Sequence, residues 1–335
     1  MKKQVSNAKN CVVSGLVVAV VLFAFAVASW AAAARTKIII VVPHRILFTV
    51  ALPVYIAQEK GFYRENNVDV DAVFTRGGGE NVQAVVSGDA QIGLGTGTLA
   101  VISAFVKKAP IKIAGAEITG MDAFWYVQSN TPIHKIEDLA GKKVAYSRPG
   151  SSSHMAVMAI ADQIKAKGLK PAEPVSLGGI PEVYTAVRTG QADSGWSVAP
   201  FQLDLVEKGV LRVVVKGDEI AAMKEITPRV HFINNDFAAK NPDAVRGFFR
   251  AQQRALDYMF EHKEETAKIW IRRAEMKYPE GAVLRTWDYY NRAAMTLKPI
   301  RGLQATIDDG VRNKFLTQPL TQAEINSLID LSFLP

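Results

Sequence analysis

From residue 37 onward the chain alternates short β-branched runs with segments of helical spacing. Residues 37–42 form an unbroken apolar run, the pattern of a strand buried on both faces. Residues 52–63 carry helical periodicity with a stop at Gly61, and residues 68–74 read as a second strand. That order predicts a β-α-β unit with a parallel sheet. The alternation continues with a helix at 80–87, a strand at 92–94, a helix at 97–107 and strands at 111–116 and 124–128. A second alternating set has strands at 143–147, 175–177, 192–196 and 211–215 and helices at 151–167 and 181–189. Residues 230–234 read as a strand returning to the first set. From Pro242 the period is helical, with helices expected at 242–262, 263–273, 281–295 and 321–331. Pro242 suits a first helical turn behind Asn241. The C-terminal helices are expected to cover the first lobe.

The first 34 residues follow another pattern. Lys2, Lys3 and Lys9 form a basic head, residues 12–27 a nearly continuous apolar run, and residues 26–34 a small-residue tail with several Ala-x-Ala choices. This is the layout of a cleavable export signal, which would place the protein outside the cytoplasm. A retained anchor is the competing reading, because the run approaches the length of a bilayer span. The alanine tail and the lack of a following basic cluster favour cleavage.

Composition then removes several classes of chemistry. Cys11, the single cysteine, lies within the export segment. The remaining chain therefore has no means of forming an intramolecular disulfide, a thiolate nucleophile or a cysteine-ligated metal site. Loss of the three lysines takes the formal charge from +8 to +5. That excess is scattered, without the basic run of a nucleic-acid footprint, so no nucleic-acid partner is expected. About 300 residues are left, enough for two lobes with separate cores.

In a parallel α/β sheet ligands gather at the carboxyl ends of strands, so the loops after the expected strands are where binding chemistry belongs. Gly95, Thr96, Gly97 and Thr98 would present backbone N–H groups and two hydroxyls at a helix start, a setting that favours an anion. A plain capping turn would use the same residue types. Ser151, Ser152, Ser153 and His154 repeat the device in the second lobe, and three serines exceed what a cap requires. Gly78 and Gly79 would allow close backbone approach to a ligand, although a mobile turn before a helix is an equal competitor. Arg45, Arg76 and Arg148 lie in or beside these loops, and a guanidinium grips a carboxylate or sulfonate with two hydrogen bonds. Arg45 is the first choice among them. Phe48, Trp125 and Trp196 offer faces for stacking, or core packing. His44 and His154 lack a ligand-spaced partner, so no metal is expected. Ser153 beside His154 in sequence does not make a triad, so no catalytic residue is assigned.

Three stretches together resemble a known family: LPVYIAQEKGFYRENNVDVDAVFTRGGGENVQAVVSGDAQIGLGTGT, TPIHKIEDLAGKKVAYSRPGSSSH and GQADSGWSVAPF. They are similar to periplasmic substrate-binding proteins of ABC importers, in the branch handling aliphatic sulfonates, taurine, nitrate and thiamine pyrimidine precursors. The resemblance implies an α/β type II periplasmic-binding fold, with two lobes joined by two crossover segments around a ligand cleft. Lobe 1 would comprise residues 36–128 plus 232–335 and lobe 2 residues 129–231, with crossovers near 128–131 and 227–231. It further implies a monomeric, cofactor-free periplasmic receptor that binds a small-molecule solute and delivers it to a membrane permease. A sulfonate-like organic anion ranks first, with a pyrimidine precursor or a sensory role as alternatives. Related sulfinate desulfinases use a cysteine nucleophile, which makes an enzyme the weaker reading. Two departures stand out: Gln91 replaces a usual acidic residue, and Val198-Ala199-Pro200-Phe201 stands where sulfonate binders often carry Trp-Asp-Pro-Tyr.

Overall fold

The apolar run at the start of the described region does become a strand, and the chain builds two sheets from the alternation that follows. The structure, a computed structural model, describes residues 35–335. The expected export segment, 1–34, lies outside the described residues. In chain order come β1 (Thr36–Pro43), α1 (Ala51–Glu59), α2 (Phe62–Glu65), β2 (Val68–Thr75), α3 (Gly78–Ser87), β3 (Ile92–Gly97), α4 (Thr98–Val106), β4 (Ile111–Ile118) and β5 (Phe124–Gln128). Then follow β6 (Lys143–Tyr146), α5 (Ser152–Ala166), β7 (Glu173–Ser176), α6 (Ile180–Arg188), β8 (Gly195–Ser197), α7 (Leu203–Glu207), β9 (Leu211–Lys216) and β10 (Arg229–Asn234). The C-terminal region carries α8 (Asn235–Lys240), α9 (Pro242–Glu261), α10 (Lys263–Ala274), α11 (Glu280–Leu284), α12 (Leu303–Arg312) and α13 (Gln322–Leu328).

The first sheet has the order β2-β1-β3-β10-β4, with β1 parallel to β3 and β10 antiparallel to both neighbours. The second lobe repeats this plan. The parallel pair β6-β7 meets the β8-β5-β9 sheet through a bridge between Val144 and Ser194, so β5 holds the antiparallel place that β10 holds in the first. Each lobe therefore borrows one strand from the far side of a crossover. This is the type II periplasmic-binding fold.

The crossovers differ from the sequence expectation. Phe124–Gln128, assigned to lobe 1 from sequence, pairs with β8 and β9, so the chain first changes sheet at 119–123 and not at 128–131. The return runs through 217–228, and Arg229, Val230 and His231 already pair with β3 and β4. Apolar alternation identifies a strand, but the sheet it joins is fixed by partners far away in sequence.

Helix α9 shows how the C-terminal region closes the first lobe. Pro242 opens it, and Val245, Phe248, Phe249, Gln252, Ala255, Leu256 and Met259 bury one face at helical spacing. That face packs on α1, whose residues Ala51–Ala57 are buried all round. The expected helix at 281–295 is instead α11 followed by two 3-10 turns, and α12 appears where the sequence pattern gave no helix. Gln91, one of the two departures, accepts a hydrogen bond from the Ile39 N–H at 2.7 Å and so ties β3 to β1.

Phe48 is the main correction among the aromatic residues. Its side chain is 0% exposed and sits on Tyr290 (4.5 Å between ring centroids), Trp287 (4.9 Å), Trp270 (5.5 Å) and Phe260 (6.0 Å). It is a core residue that fastens the C-terminal segments to lobe 1, not a ligand contact. Phe48→Ala is expected to cost about 3–5 kcal/mol of stability through the cavity it leaves. Urea denaturation at equilibrium checks this, and a loss under about 1 kcal/mol would contradict the packing role.

Candidate functional site

Between the two sheets lies a cavity of about 70 Å³, counted as space open to the centre of a water molecule. Several waters, or one compact solute, fit such a volume. Its walls are the strand-end loops singled out by sequence. Lobe 1 contributes Gly77, Gly78 and Gly79 at the start of α3, with Gly95 and Gly97 from β3. Lobe 2 contributes Ser147, Arg148, Ser151, Ser152 and Ser153 around the start of α5, with Trp196 from β8.

The wall is a donor surface for a physical reason. The first backbone N–H groups of a helix have no partner inside it, and α3 and α5 begin here; α4 begins beside them, with its Thr98 N–H donating to the Pro228 carbonyl at 3.0 Å. Ser151 caps α5 by accepting from the His154 N–H at 3.2 Å, and Ser153 accepts from the Ser147 N–H at 3.0 Å. The hydroxyls of Ser147, Ser151 and Ser153 lie 2.9–3.1 Å apart in a triangle. That mutual bonding braces the loop at the start of α5, where the first N–H groups of the helix have no partner within it. Trp196 is 8% exposed and its indole Nε1–H has no acceptor among the described residues. A buried donor without an acceptor costs about 1–3 kcal/mol, which a bound oxygen would recover.

Five of the thirteen residues selected from sequence do not line this cavity. Arg45, the first choice among arginines, is exposed and pairs with Glu275 at 3.1 Å; Phe48 is core. The Thr96 hydroxyl is engaged by Asn81 at 3.2 Å, and Thr98 donates to the Thr227 carbonyl at 2.6 Å. His154 accepts from the Gly150 N–H through Nδ1 and packs between Tyr146 and the edge-on ring of Phe315. Burial holds its imidazole below the ordinary pKa, so it is a neutral packing group. Gly78, Gly79, Gly97, Arg148, Ser151, Ser152, Ser153 and Trp196 do line the cavity, Arg148 at its exposed rim. His44, set aside from sequence as a metal ligand, also lines it; burial lowers its pKa against the pull of Glu182 and Glu80. Among the described residues no group of three or more His, Cys, Asp or Glu side chains is placed to hold a metal.

The floor escaped sequence reasoning altogether. Arg229, at the start of β10, sends Nε to Glu117 at 2.9 Å and clamps Asp122 with two nitrogens, each at 2.8 Å. The three side chains are 11%, 0% and 4% exposed. Thr49 gives its hydroxyl proton to the same Glu117 oxygen at 2.5 Å. Burial disfavours the Arg229 charge, but Asp122 and Glu117 outweigh it and hold the guanidinium above its ordinary pKa. Burial pushes the Glu117 carboxyl up against the pull of Arg229. Thr49, Asp122 and Arg229 line the cavity.

The sequence model described as NMT1/THI5 like matches residues 49–266. The chain belongs to this family. It is 30% identical over 207 residues to the taurine-binding periplasmic protein of Escherichia coli (strain K12), covering 61% of this chain and 62% of that one. It is 23% identical over 233 residues to 4-amino-5-hydroxymethyl-2-methylpyrimidine phosphate synthase of Candida albicans (strain WO-1), covering 64% and 65%. Both matches thus span less than two thirds of the relatives' own length. The alkanesulfonate-binding protein SsuA of Xanthomonas axonopodis pv. citri, solved bound to MOPS, superposes with a TM-score of 0.72 at 18% identity, over 88% of this chain and 99% of that one. At that identity the likeness carries the fold.

The lobes meet closely at one point of the cavity rim. A Cβ on Gly97 would stand 2.8 Å from the Gly150 carbonyl oxygen and 3.1 Å from both Ser151 Cα and Ser152 N. Glycine is required there for the lobes to approach. Gly97→Ala is expected to resist closure by about 1–3 kcal/mol and weaken solute binding about 5- to 150-fold. Titration calorimetry with small-angle scattering checks this; unchanged affinity with an unchanged radius of gyration would contradict it.

Proposed function

We propose that this protein is the periplasmic solute receptor of an ABC importer, a monomer that captures a small organic anion by lobe closure and presents the closed form to a membrane permease. The observation that carries the reading is the cavity between two lobes, walled by helix N-termini and by an indole donor that lacks an acceptor among the described residues. Both lobes supply donors, so the full set exists only when the cleft is shut, and the solute stabilises closure by that difference. The donor geometry favours a sulfonate-like head group first, with carboxylates next. The match to a taurine-binding periplasmic protein supports the same class. An export signal at 1–34 is part of this reading.

The similarity to pyrimidine phosphate synthases favours a second ligand class on the same scaffold, a pyrimidine precursor. Fold alone does not choose between them.

Native mass spectrometry of the exported protein, followed by thermal-shift measurements with sulfonates, carboxylates, nitrate and pyrimidines, tests the proposal. A sulfonate present at a hundred times its Kd should add about 2.7 kcal/mol of stability and raise the melting midpoint visibly. A shift with pyrimidines alone would move the second reading to the front. Turnover of a candidate substrate with no ligand-dependent shift would overturn the receptor reading.

A further inference from the structure

His154 does not line the cavity, yet its ring is bonded to the turn that does. In the turn before α5 the Ser147 N–H donates to Ser153 Oγ at 3.0 Å, the Ser151 N–H to the Arg148 carbonyl at 3.1 Å and the Gly150 N–H to His154 Nδ1 at 3.3 Å. Gly150 is buried and left-handed at φ 78°, so its peptide has wide freedom unless a group outside the local backbone fixes it. Its carbonyl and the two residues after it are what Gly97 of lobe 1 meets. The imidazole is held between Tyr146 of β6, at 4.2 Å between ring centroids, and Phe315, at 5.2 Å and edge-on. Phe315 is anchored on lobe 1: its N–H donates to the Gly310 carbonyl at 2.8 Å, and Gly310 lies against Leu99 of α4. Lobe 1 therefore reaches the serine turn by two routes, directly at Gly97 and through Phe315 and His154.

A position that only packed between two rings would need no nitrogen, since leucine or phenylalanine fills such a space without burying a polar group. We propose that His154 is a positioning residue for the solute: its unprotonated Nδ1 fixes the Gly150 peptide, and so holds the serine turn in the orientation that meets the solute and Gly97. The inference rests on the receptor reading above and concerns the same cavity. Nδ1 accepts only while the ring is neutral with its proton on Nε2. Burial between the two flanking rings disfavours the charged form and so preserves the acceptor. The hydrogen bond acts on the turn, and the ring acts on stability. Two substitutions separate these effects: asparagine carries an acceptor oxygen at the branch position that Nδ1 occupies, and phenylalanine keeps a ring without any acceptor.

Amide hydrogen exchange followed by NMR reads the turn without any ligand. In His154→Phe the Gly150 amide should exchange at least about tenfold faster, the equivalent of one lost hydrogen bond, while in His154→Asn it should stay within about threefold of wild type. Calorimetric titration with ethanesulfonate should follow the same order, about tenfold weaker for His154→Phe and within about threefold for His154→Asn, even though the asparagine variant, lacking the ring, melts lower. If the wild type ignores ethanesulfonate, the compound giving the largest thermal shift takes its place. The reverse order, equal behaviour of the two variants, or faster exchange with unchanged affinity would each overturn the positioning role and leave the receptor reading intact. Nitrogen-15 NMR of the wild-type imidazole at neutral pH decides the case in which the variants fail to fold: a proton on Nε2 is expected, and a proton on Nδ1 would overturn the proposal. Silence from sulfonates, carboxylates, nitrate and pyrimidines alike would sink the receptor reading, and this inference with it.

Discussion

The buried clamp of Arg229 on Glu117 and Asp122 is the constraint around which the cleft is arranged. Its three members come from the end of β4, the first crossover and the start of β10, so a single guanidinium ties together both segments that pass between the lobes. Removing one partner from a buried ion pair is far more damaging than the pair is stabilising, because the survivor is left charged and dry. The clamp thus fixes where the lobes join more than it adds to net stability. Supporting bonds run alongside: Gly120 N–H donates to the Ile226 carbonyl at 2.9 Å and Gly217 N–H to the Ala123 carbonyl at 2.8 Å, each linking one crossover to the other.

With the junction fixed, the rest of the site follows from helix ends. Three helices begin around one small volume, and the serine turn of lobe 2 comes within van der Waals reach of Gly97 in lobe 1. The C-terminal region also spans both lobes. Phe315 packs edge-on against His154 of α5, Arg312 pairs with Asp162 at 3.3 Å, and Gly310 lies against Leu99 of α4. The cavity is therefore enclosed by both lobes, with the start of α5 and Trp196 on one side and the start of α3 and the end of β3 on the other.

Much of this was legible in the sequence, and the failures share one cause. The βαβ alternation, the glycine turn before α3 and the serine run before α5 are local signals, and they led to most of the cavity wall. Arg229 carries no local signal: its partners are 112 and 107 residues away in the chain. Arg45 looked better placed because it follows β1, yet the loop carries its side chain outward to Glu275. Thr96 and Thr98 have the right chemistry, but strand β3 runs straight into α4, and their hydroxyls are consumed in holding that junction. Phe48 and β5 repeat the lesson, since an aromatic residue or a strand takes its role from the distant elements it meets. The helix α12 was missed because only Thr306, Ile307 and Gly310 are buried in it, too short a stripe to read.

A high-resolution crystal structure of the protein loaded with a small sulfonate tests the central claim most directly. The account predicts sulfonate oxygens within about 3 Å of the Trp196 indole nitrogen and of N–H groups at the start of α5, with contacts from both lobes and the Arg229 clamp unbroken. A solute held by one lobe alone, or one that pulls Arg229 away from Asp122 to meet its sulfonate, would contradict it.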